Sequence, residues 1–156
     1  MHRARNKIAA LAASMVALAV IVSGPAVADP FTMGPLVPVS GASPIAACDG
    51  DTGFRDVGGV PASQVVNSEV EPHVMVDPSN PDNIIGAWQQ DRWNNGGAEG
   101  NVTATSLNGG ASWTIVNGLK TSLCSGGTAA NGGGYQRATD PWVTFAPNGN
   151  AFQMAL

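Results

Sequence analysis

Glu71-Pro72-His73-Val74-Met75-Val76-Asp77-Pro78 and, 69 residues further on, Asp140-Pro141-Trp142-Val143-Thr144-Phe145-Ala146-Pro147 are two copies of one pattern. Both read acidic, Pro, ring-bearing, Val, any residue, apolar, any residue, Pro. Each is followed by turn-forming residues and a second apolar run, IIGAW at 84–88 and AFQMAL at 151–156. Short apolar runs bounded by Pro, Asn, Asp and Gly read as strands joined by tight turns. Two further runs, NVTATS at 101–106 and WTIV at 113–116, fall between the copies. Four strands therefore precede the restart of the pattern. The unit is a four-stranded antiparallel sheet that repeats, and radial repetition of such sheets is the β-propeller plan.

The turn between the third and fourth strands carries Ser106-Leu107-Asn108-Gly109-Gly110-Ala111-Ser112-Trp113. This octapeptide resembles the Asp box of the sialidase (BNR-repeat) superfamily, Ser-x-Asp-x-Gly-x-Thr-Trp. Ser106, Gly110 and Trp113 match, while Asn108 and Ser112 stand for Asp and Thr. An Asx side chain in such a turn bonds its own backbone, the Gly takes positive φ, and the Trp packs into the sheet. The box is structural, not catalytic. The stretch 69–156 resembles secreted bacterial exo-sialidase-like propellers. The resemblance implies an all-β fold, a six-bladed propeller when complete, of which this chain supplies about one and a half blades. A fragment of a longer protein is the expectation. With so few blades, both faces of its sheets are expected to be uncovered.

Outward from the repeat, residues 29–68 are rich in Pro and Gly and read as an extended arm. Asp49, Asp51 and Asp56 in this arm lack the spacing of an EF-hand and read as a solvated turn. Residues 1–28 have a basic start, an apolar run over 8–22 and Ala26-Val27-Ala28 before Asp29, the three parts of a cleavable signal peptide. The run is short for the roughly 20 residues of a membrane span. Export is expected, with no membrane association after cleavage. In an oxidising compartment Cys48 and Cys124, the only two cysteines, are expected to pair and tie the arm to the body.

Composition narrows the function. Of 7 Lys+Arg, three leave with the leader, against 11 Asp+Glu that all remain. So acidic a chain does not bind nucleic acid, which needs clustered Lys and Arg. No Ser/His/Asp or Cys/His arrangement occurs. His73 reads as a strand residue, and the Gly-rich link at 125–134 lacks the Lys-Ser/Thr of a phosphate cradle. No cofactor and no metal site is implied.

Strand parity places the remaining polar groups on one rim of the ring. They are Glu71 and Asp140 at the two strand starts, Asp91, Arg92, Trp93 and Glu99 around the first long link, and Tyr135 and Arg137 in the second. Carboxylates, an arginine and aromatic faces together suit a sugar. Arg92, Glu99 and Asp140 are the candidate catalytic residues, and Glu71, Asp91, Trp93, Tyr135 and Arg137 the candidate substrate contacts. Each also has a plain alternative, such as Arg92 pairing with Asp91 or Glu99, Arg137 pairing with Asp140, or Trp93 covering the sheet. Sialidases bind the substrate carboxylate through three arginines, and Arg92 in WQQDRW resembles the second. Val70 and Thr139 stand where the first would be, two residues before each Pro. The expected function is a secreted sialidase-like glycoside hydrolase acting on extracellular glycans. A non-catalytic Asp-box propeller that binds glycan or protein is the alternative, and a lyase on the same ring is a third, weaker one. Oligomeric state stays open.

Overall fold

A computed structural model describes residues 34–48, 56–57, 60–116 and 119–156, with the backbone alone at 56–57 and 60–61. The expected leader, the start of the arm and the Asp49 and Asp51 turn lie outside the described residues. Among the described residues the fold is all-β, in three antiparallel sheets. A small hairpin pairs β1 (Asp56–Val57) with β2 (Val60–Pro61). The main sheet has the order β3 (Gln64–Asp77), β4 (Asn80–Trp93), β5 (Ala98–Ser106) and β6 (Thr114–Val116). A second hairpin pairs β7 (Trp142–Phe145) with β8 (Ala151–Met154). Every run expected to form a strand does so, in the expected meander.

β3, β4 and β5 are longer than the sequence indicates. β3 begins inside the expected arm, and both β3 and β4 reach 14 residues. They do so through irregular pairing, with register shifts between Val65 and Glu69 and between Val70 and His73. Asn67 (φ 62°) and Glu71 (φ 52°) lie in these shifts, and Asp91 (φ 59°) lies opposite in β4. A bulge absorbs an extra residue and lets the ladder resume, so strand character continues past points that read as ends.

Two faces follow from the period of two along each strand. One face carries Met75, Ile85, Ala87 and Thr103, since Met75 pairs with Ile85, and His73 and Thr103 flank Ala87. The β7–β8 hairpin lies on this face. Val143, fully buried, packs with Ile85 and Ala87, and Met75 and Phe145 close around them. Thr103 Oγ1 donates to Gln153 Oε1 at 2.6 Å across the same joint. The opposite face carries Trp88, Val102 and Ala104, with Val39 of the arm and Trp113 packed against them. The expectation of two uncovered faces is thus corrected. One is covered by the second hairpin and the other in part by the arm. Coverage on both sides is why β5, central in the sheet, is buried along nearly its whole length.

Candidate functional site

The turn from Ser106 to Trp113 forms from short-range bonds. Ser106 Oγ donates to Asn108 Oδ1 at 2.9 Å and accepts from Gly110 N–H at 2.9 Å. Asn108 Oδ1 also accepts from Ser112 N–H at 2.9 Å, and its Nδ2 donates to Ser112 Oγ at 2.9 Å. Gly110 sits at φ 88°, where a side chain is strained. All these groups secure the corner from which Trp113 packs against the Trp88, Val102 and Ala104 cluster.

At the other end, the two repeat copies meet. Glu71, Pro72 and His73 of the first, with Asp140, Pro141 and Trp142 of the second, line one cleft of about 250 Å³. Its floor is the His73–Trp142 pair, stacked with ring centroids 3.8 Å apart. Val143 N–H donates to His73 Nδ1 at 3.2 Å, so His73 also ties one copy to the other. Glu71 and Asp140 are both exposed, and each precedes a proline at positive φ, 52° and 48°. Non-glycine residues rarely adopt this conformation, and such strain gathers where side-chain direction matters for function. Glu71 lies within the β3 bulge instead of at a strand start, and the bulge is what turns it out of the ladder.

Behind Glu71 runs a polar relay. Arg92 Nη1 donates to Gln89 Oε1, and Gln89 Nε2 donates to Glu71 Oε2. Gln89 has no exposed surface, which makes the relay a rigid connection from the arginine to the rim carboxylate. Arg92 thus reaches Glu71 through Gln89, and its backbone N–H donates to Ser68 Oγ at 2.8 Å.

The other candidates are placed differently. Asp91 is fully buried, with Oδ2 accepting from Ser43 Oγ at 2.5 Å and Oδ1 accepting from Asn67 N–H at 2.7 Å. It is a clamp on the arm. Glu99 belongs to β5 and is fully buried, with a carboxylate oxygen 3.0 Å from Cys124 Sγ. Trp93 is buried, and the Arg137 guanidinium lies 4.7 Å over its ring. Arg137 also donates to Asn95 Oδ1 at 2.7 Å and to Gly96 O at 2.6 Å, which closes the β4–β5 turn. Tyr135 is exposed and lines a separate cleft with Lys120, Asn131 and Leu156.

Cys48 and Cys124 are joined, with Cα atoms 5.5 Å apart, as expected. Their sulfurs and a Glu99 oxygen lie within 4.8 Å of one another, but the two sulfurs are committed to each other and offer no thiolate for a metal.

Sequence reasoning missed Gln89, His73 and Trp142. His73 and Trp142 occupy the same position of the repeat, and that equivalence was the available signal. A second signal is that Gln89 directly follows the apolar run of β4. No protein-family model, curated protein or solved structure matches this chain.

Proposed function

We propose that the main sheet and the second hairpin are one and a half blades of a sialidase-like β-propeller, exported from the cell, that hydrolyses extracellular glycans at the cleft between Glu71 and Asp140. The observation that carries this reading is the convergence of two repeat-equivalent carboxylates, both on strained backbone, above a stacked aromatic floor. A carboxyl pair can divide between acid and base or nucleophile in glycosidic cleavage. Trp142, more than half exposed, offers a ring face to a sugar, and the Arg92–Gln89 relay holds Glu71 in one direction.

The test is turnover of fluorogenic sialosides and a panel of neutral glycosides by the intact protein. The proposal expects Glu71→Gln and Asp140→Asn each to lower kcat at least about 100-fold with little change in stability, as loss of an acid–base group does. Both substitutions keep the size and the accepting oxygen of the side chain. A second reading, a glycan-binding propeller without catalysis, is favoured by the burial of Glu99 and Asp91, which takes two acidic groups away from the rim. Saturable binding of the same sugars by a protein that turns none of them over selects it.

A further inference from the structure

The joint between the two repeat copies has two halves, and among the described residues the chain presents each half a second time with its apolar side chains largely exposed. In the joint, Val143 and Phe145 of the second copy lie on Ile85 and Ala87 of the first. The cross-strand pairing defines the equivalences. Val74 pairs with Gly86 and Met75 with Ile85, just as Val143 pairs with Gln153 and Thr144 with Phe152. The repeat thus makes Val74 and Val76 the counterparts of Val143 and Phe145, and makes Phe152 and Met154 the counterparts of Ile85 and Ala87.

The burial of these counterparts is opposite. Val143 is 0% exposed, whereas Val74 is 59% and Val76 44% exposed. Ile85 and Ala87 are 7% and 0% exposed, whereas Phe152 is 56% and Met154 60% exposed. Beside Val74 the face opens into an apolar groove of about 430 Å³ bounded by Val39, Trp88 and Trp113. One apolar surface of each type is therefore left at opposite sides of the molecule.

We propose that this chain associates with a second copy of itself, head to tail, with the Phe152–Met154 face of one seated on the Val74–Val76 face of the next. The interface repeats the joint already built inside the chain, with the same alternation of apolar side chains. Such a contact uses different patches on the two partners, so it runs on into a ring or a filament instead of stopping at a symmetric dimer. It depends on the repeat pairing and not on what the rim cleft binds.

Sedimentation of the full chain over a hundredfold range of concentration tests this. Association that rises with concentration is expected, and Val74→Asp or Phe152→Asp alone should each abolish it, because every joint needs one face of each type. Both side chains are more than half exposed, so the substitutions leave the folded monomer intact, as circular dichroism can verify. Each single variant keeps one good face, and in isolation it lacks the complement that face needs. An equimolar mixture of the two is therefore expected to give a heterodimer and nothing larger, while each alone stays monomeric. A monomer at all concentrations, association indifferent to both substitutions, or a mixture that stays monomeric would overturn the proposal.

Discussion

The Asp91 carboxylate reaches back 48 residues to accept a 2.5 Å hydrogen bond from Ser43 Oγ, and so the arm is locked onto the end of β4. The same carboxylate holds Asn67 N–H, and Asn67 Oδ1 in turn accepts from Ser43 N–H at 2.7 Å. Three segments distant in sequence meet on one buried acidic group. Removing it leaves several donors without an acceptor, each of which costs about 1–3 kcal/mol. Asp91→Ala is expected to destabilise the fold by roughly 3 kcal/mol in urea denaturation. Asp91→Asn keeps one accepting oxygen and is expected to lose less.

The disulfide secures the same arm at Cys48. Cys48 and Cys124 are 76 residues apart in sequence, so their bond constrains a long loop of the unfolded chain. Replacing both by Ser is expected to cost about 2–5 kcal/mol. Thermal unfolding with and without reductant checks it: the wild type should lose Tm on reduction and the double variant should be indifferent.

Asn108 is the hub of the turn from Ser106 to Trp113, through one oxygen that accepts twice and an amide that donates once. Asn108→Ala is expected to cost about 1–2 kcal/mol, the usual loss for a side chain that satisfies turn backbone. Asn108→Asp should be close to neutral, because Ser112 Oγ can reverse its role and donate to the new oxygen. Chemical denaturation of the two variants separates these outcomes.

Stability at acid pH should report on Asp77. Hydrogen bonds from Ser79, first through its hydroxyl and then through its backbone N–H, hold this carboxyl below its usual 3.8, outweighing the opposing effect of burial. Asn83 and Asn80 contribute in the same direction. A carboxyl lowered in the folded state stabilises the protein above its unfolded value, and that contribution is lost as pH falls through the folded one. Asp77→Asn is expected to flatten the acid limb of the stability profile below about pH 4. Denaturation midpoints measured at neutral pH and down to pH ~2 check it.

Legibility in the sequence followed the range of each interaction. Strand positions, the corner from Ser106 to Trp113 and the turn at Asp77 were readable because they depend on contacts close in sequence, which spacing records directly. The disulfide was readable because only one pairing exists. Asp91 and Glu99 read as rim groups, yet the fold buries both, because β3 and β4 continue through bulges that a local pattern cannot show. By itself the sequence determined the strands of the main sheet, the hairpin that follows them and where their corners lie. Only the tertiary structure decided that His73 and Trp142 stack, that Gln89 links Arg92 to Glu71, and which carboxylates remain at the surface. Those outcomes depend on which sheet face meets which, and that is set by packing between segments some 70 residues apart in the chain.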